Sequence, residues 1–131
     1  MDIKSNDATP QRPDGNRTLD SDMVHLDVPA FIAQVKGEST WKESDRNSIT
    51  IFKSDTLRVV LIGLHQNAEL KPHQANGVIT VQAVEGSITF STDKASHTLT
   101  AGQMVALHEK ITHSVKAVTD AFFLLTLSPA K

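Results

Sequence analysis

Asn67-Ala-Glu-Leu-Lys-Pro-His73-Gln-Ala75-Asn-Gly77-Val-Ile79-Thr-Val81-Gln-Ala83-Val-Glu-Gly86 is the stretch on which the fold turns. Its second half alternates β-branched or aliphatic residues with polar ones and closes on the turn Val84-Glu85-Gly86-Ser87, the pattern of a strand with one buried face. Side chains on a regular strand change sides at every residue. His73, Ala75, Gly77, Ile79, Val81 and Ala83 are therefore expected on one face, with Gln82 on the other. That face is hydrocarbon apart from a single imidazole.

On both sides of this stretch the same texture continues. Ser48–Lys53, Leu57–His65, Val78–Val84, Ser87–Ser91, His97–Thr100, Gln103–Leu107, His113–Val118 and Ala121–Ser128 read as short strands. They are separated by polar or glycine-bearing breaks at 53–56, 65–68, 84–87, 92–94 and 100–102. Many short strands with frequent turns predict an all-β sandwich or barrel. Ahead of them, Asp27-Val-Pro29-Ala-Phe31-Ile32-Ala-Gln-Val35-Lys-Gly37 has a capping residue, a proline in the first turn, apolar residues at helical spacing and a closing glycine, which predicts one short helix. Residues 1–22 are polar, with little apolar content beyond Ile3 and Leu19, and are expected to form a disordered tail. The folded domain is expected over 23–131.

Composition narrows the function classes. The chain has 131 residues, 39% hydrophobic content, thirteen Lys+Arg against fifteen Asp+Glu, a formal charge of −2 and no cysteine. That is the size of one domain. The near-balance of charge lacks the basic footprint of a nucleic-acid binder. No apolar run approaches the ~18 residues of a membrane span. The start has neither the basic nor the apolar region of a secretory signal, and the lack of cysteine removes disulfides and thiolate metal sites, so a cytoplasmic protein is expected. Neither a nucleic acid nor a membrane is an expected partner. There is no internal repeat, P-loop, dinucleotide fingerprint or G-x-S-x-G elbow.

Six histidines, His25, His65, His73, His97, His108 and His113, are the candidate ligands. His25 beside the tail and His97 after an Asp-Lys turn read as solvated. His73 and His113 each sit where a strand meets a turn. Around them the chain resembles the cupin superfamily. Its first motif, G-x5-H-x-H-x3-E-x6-G, corresponds to 67–86. The second, G-x5-P-x-G-x2-H-x3-N, corresponds to 102–117, Gly102-Gln-Met-Val-Ala-Leu-His108-Glu-Lys110-Ile-Thr-His113-Ser-Val-Lys-Ala117. Spacing is kept in both, as are Gly86 and Gly102. The resemblance covers roughly 48–128 and implies a single-domain cupin double-stranded β-helix (jelly-roll barrel) with one short N-terminal helix.

Cupin motifs together hold a divalent metal through three histidines and a glutamate. By position, His73 matches the first of these ligands and His113 the last, while Ala75 stands for the second histidine and Ile79 for the glutamate. Two imidazoles fall short of the three protein ligands usual for catalytic zinc and of the two-histidine-one-carboxylate set of non-haem iron. His108, at the motif proline, and His65, before the turn at Asn67, are weaker candidates to complete a three-histidine set; Glu69 and Glu109 are weaker still. The expected cofactor is one divalent ion (Fe, Zn, Ni or Mn), weakly bound or absent.

Three functions fit. A small-molecule-binding barrel would have an apolar pocket at Ala75, Ile79 and Val81 with the histidines at its floor. A metal-dependent enzyme of dioxygenase, isomerase or decarboxylase type would use a non-standard histidine set. A structural or regulatory protein would have no chemistry of its own. The resemblance implies a homodimer in each case. Trp41 is expected to pack on the barrel exterior, and Phe122–Leu127 to be a buried strand.

Overall fold

The computed structural model describes Lys4–Ser5 and residues 18–130. Strands β1 (Lys4–Ser5) and β2 (Thr18–Asp20) form a small antiparallel pair. Most of the tail expected over 1–22 lies outside the described residues. The part that is described differs from that expectation: Leu19 is buried and β2 runs beside the barrel strand at 46–53. One apolar residue in a polar stretch is enough to anchor three residues, and composition averaged over the whole stretch hides it.

Helix α1 (Val28–Gly37) forms where expected. Asp27 caps it, its Oδ1 accepting the Ala30 N–H at 3.1 Å, and Pro29 lies in the first turn. A second helix, α2 (Ser39–Glu43), follows after one residue and turns Trp41 inward. Nine barrel strands complete the chain: β3 (Arg46–Lys53), β4 (Arg58–Leu64), β5 (Glu69–His73), β6 (Gly77–Glu85), β7 (Ile88–Thr92), β8 (Ser96–Leu99), β9 (Met104–Leu107), β10 (His113–Ala117) and β11 (Ala121–Pro129). β5 was not expected. It is short, mostly exposed and contains Pro72, so it shows neither alternation nor β-branched content.

Two antiparallel sheets result, ordered β3-β4-β11-β6-β9 and β5-β10-β7-β8. Between them lies the inner core, with Leu64, Ile79, Val81 and Phe123 from the first sheet facing Ile88, Phe90, Leu99 and Val115 from the second. A second core sits on the outer face of the five-stranded sheet, where Ile32, Val35 and Trp41 cover Ile49, Ile51, Leu61 and Phe122. Period-two alternation sends the adjacent rings of Phe122 and Phe123 into different cores. Each fully buried side chain of this size contributes about 1.5–3 kcal/mol. Gly63 makes room for the outer one: a Cβ there would lie 2.5 Å from the Phe122 ring.

The motif turns are preserved in backbone even where their glycines are lost. Gly86 and Gly102 have φ of 77° and 91°. Asn67 and Lys110, at the two motif positions where glycine is replaced, have φ of 71° and 62° and are the non-glycine residues with positive φ among those described. Asparagine tolerates this region, whereas a lysine there costs about 1–2 kcal/mol.

Candidate functional site

His73 and His113 come from different strands of the four-stranded sheet and are directly paired partners in the β5–β10 ladder. Directly opposed residues of an antiparallel pair share a face. His113 lies in the inward row of β10 with Val115 and Ala117, so the pair faces the interior at one end of the barrel. A register shift makes this possible. His73 opposes His113 and Leu70 opposes Val115, so β5 spans three positions where β10 spans two. The extra residue is a bulge on an edge strand, and Pro72, which has no N–H to contribute to a ladder, sits within it.

The two rings lie 4.4 Å apart between centroids, tilted by 59°, and His113 also stacks on Phe90 at 5.4 Å. Each imidazole is fixed by the same device. Nδ1 of His73 is 2.7 Å from the Lys71 carbonyl oxygen, and Nδ1 of His113 is 2.8 Å from that of Ile111. A carbonyl oxygen only accepts, so each Nδ1 carries its proton and donates. In the neutral rings Nε2 is then the lone-pair atom. Neither Nε2 has a hydrogen-bond partner among the described residues. His73 is exposed, but His113 is only 4% exposed. Burial pushes the His113 imidazolium below the ordinary histidine value of 6.5; the Ile111 carbonyl opposes this and the His73 charge adds to it. An unsatisfied acceptor in a buried side chain is uncommon in folded proteins.

The donor set can be tested against the divalent ion that cupin motifs imply. Anchoring of Nδ1 by a backbone carbonyl is the usual orientation of a metal-ligating histidine. The other two positions do not fit. Ala75 lies in the loop between β5 and β6, and Ile79 is 2% exposed in the inner core on the facing sheet. Among the described residues no group of three His, Cys, Asp or Glu side chains is placed to hold an ion. The residues present therefore do not make a three-ligand site.

The weaker candidates are placed elsewhere. His65 stacks on Trp41 at 3.6 Å between centroids, with Nε2 2.7 Å from the Trp41 carbonyl and Nδ1 3.5 Å from Oδ2 of Asp120. It belongs to the helix-covered side of the barrel. Trp41 itself lies in the outer core beside Phe122, at 5.0 Å between ring centroids. His108, Glu69 and Glu109 are exposed and join no cluster with the pair. His25 and His97 are exposed as expected.

The single expected face running from His73 to Ala83 is in fact split. The chain leaves one sheet at His73 and enters the other at Gly77, so the pair and Ile79 look inward from opposite walls. Ile79 and Val81, expected to line a pocket, are only 2% and 1% exposed and belong to the filled core. Ala75 is half-buried at the rim. Its carbonyl accepts the Lys110 N–H at 3.0 Å, and Gln74 donates to Thr112 Oγ1 at 3.1 Å, joining the two motif loops. Cavities of about 250 Å³ beside Ile62 and Leu70, and about 530 Å³ between β8 and β9, are lined by neither His73 nor His113. No helix among the described residues is long and apolar enough to cross a membrane.

No family model matches the chain, and no curated protein matches it. Solved structures do. A cupin superfamily protein from Desulfitobacterium hafniense is 12% identical, with a TM-score of 0.69 over 86% of this chain and 95% of its own. An RmlC-like cupin from Desulfovibrio desulfuricans is 25% identical, with a TM-score of 0.60 over 64% and 82%. A salicylate 1,2-dioxygenase from Pseudaminobacter salicylatoxidans is 17% identical, with a TM-score of 0.57 over 64% of this chain and 26% of its own. Two facing antiparallel sheets, the retained motif turns and these likenesses lead to one statement: this chain has the cupin fold.

Proposed function

We propose that this protein is a small-molecule-binding cupin barrel whose metal site is dismantled, binding a divalent ion weakly or not at all. The observation that carries this reading is the inward pair of anchored imidazoles with unpartnered Nε2 atoms, set opposite hydrocarbon where cupin motifs supply two further ligands. A ligand would approach from the rim, past exposed His73 and half-buried Ala75. The alternative, a metal-dependent enzyme of dioxygenase, isomerase or decarboxylase type, is favoured by the Nδ1 anchoring alone.

Elemental analysis of protein purified without added metal decides between them. The expected result is Fe, Zn, Ni and Mn well below one ion per chain, with uptake in the Ala75→His, Ile79→Glu double variant. Near-stoichiometric metal in the wild type, lost in both His73→Ala and His113→Ala, would establish the enzyme class instead. We also assign the protein to the cytoplasm and to a homodimer. The outer face of β6 and β9 bears exposed Val78 and Met104 and carries no ionisable side chain over 77–84 or 104–107, so two copies can meet there without like-charge repulsion. Light scattering of the full chain tests the dimer.

A further inference from the structure

The direction of the hydrogen bonds at the pair restricts what can occupy it. Both Nδ1 protons are committed to the backbone carbonyls of Lys71 and Ile111. What the neutral rings offer to a ligand is a pair of acceptors and no donor. A carboxylate or an ether, which can only accept, meets lone pair against lone pair. A hydroxyl donates and is matched. The groups recorded around the pair are apolar: Phe90 lies against His113, and the neighbouring row Leu127, Ile79 and Leu107 of the other sheet belongs to or packs on the inner core.

We infer that the ligand of this site is a small uncharged molecule with a hydrocarbon body and two neighbouring hydroxyls, which donate one hydrogen bond each to Nε2 of His73 and Nε2 of His113. The two rings are neighbours. The rings are 4.4 Å apart between centroids, and the oxygens of a vicinal diol are separated by about 3 Å, close to one hydrogen-bond length. The buried, unpartnered Nε2 of His113 is the group that selects, because a ligand that fails to donate to it leaves an acceptor without water or partner. The inference rests on the small-molecule reading above and adds the chemical class of the ligand to it.

The test uses the full chain, with cis-cyclohexane-1,2-diol as probe beside its monomethyl ether, its dimethyl ether and cyclohexanecarboxylate, all titrated at pH 8. The readout is the ¹⁵N shift of each histidine ring nitrogen, with His25 and His97 as internal controls. The expected result is protonated Nδ1 and lone-pair Nε2 in the free protein, a shift of both Nε2 signals on adding the diol, and affinity falling about tenfold for each methylation. The carboxylate is expected not to bind. His113→Phe, which keeps an aromatic ring beside Phe90, is expected to fold and to lose the preference for diol over diether. Equal binding of diol and diether would overturn the donor assignment and leave the small-molecule reading standing. A lone pair found on Nδ1 would overturn it as well. No binding of any probe, together with stoichiometric metal in the purified protein, would overturn both.

Discussion

Two histidines with aromatic neighbours sit on opposite sides of the fold, and they are used differently. His65 has both nitrogens directed at protein groups, the Trp41 carbonyl and the Asp120 carboxylate, and its ring lies flat on Trp41. His113 stacks on Phe90, has one nitrogen anchored and leaves the other unpartnered in a buried position. An imidazole with both nitrogens directed at protein groups joins elements together. An orphaned one carries a desolvation cost that only binding removes. Neither burial nor aromatic packing distinguishes the two histidines; the partner count of the second nitrogen does.

The comparison can be broken most forcefully on the structural side. Trp41→Ala removes the largest side chain of the outer core and the platform under His65, and is expected to lower unfolding free energy by about 3–5 kcal/mol in urea titrations. The ring-nitrogen signals of His73 and His113 should stay unchanged, because those rings belong to the inner side of the barrel. Movement of these signals in Trp41→Ala would mean that the two regions are coupled.

On the functional side the expected effect on stability is smaller and depends on pH. His113→Phe deletes a buried acceptor without leaving a cavity, so stability at pH 8 should remain within about 1 kcal/mol of wild type. Because burial depresses the folded-state pKa of His113 below 6.5, the unfolded chain takes up a proton first as pH falls. Wild-type stability is therefore full above that value and declines below it, down to the folded pKa. The His113→Phe variant should lack this part of the acid slope, and a slope identical to wild type would contradict the assigned burial effect.

The smallest effect separates the two motif turns. Lys110→Gly relieves a left-handed backbone carried by a lysine and should raise stability by about 1 kcal/mol, while Asn67→Gly should change it by only a few tenths. Equal gains at both would show that the residue type at these turns is irrelevant.

Spacing was the most legible feature of the sequence. The motif intervals located the two imidazoles and the turns at 67, 86 and 102, all three with positive φ; the fourth such turn, at Lys110, was not singled out. Helix α1 and most strands were readable because they carry a capping residue or alternate cleanly. What was not readable follows from physics that local pattern omits. β5 is an exposed edge strand with a proline, so it has no hydrophobic alternation to show. The run from His73 to Ala83 looked like one face because both halves point inward, and only long-range pairing reveals that they lie on different sheets. The fates of His65 and Trp41 depend on α2, five residues long and without a side-chain cap.

The bulge in β5 has a consequence for how the imidazole pair is kept. Leu70 and His73 are three apart in the chain, yet both face inward, which strict alternation forbids without an odd residue between them. Slippage of this outermost ribbon to even pairing at constant length would turn His73 away from His113 while every side chain stayed intact. The parity of a backbone ladder, shifted where an imino acid sits, thus determines whether the protein presents two imidazoles side by side or one.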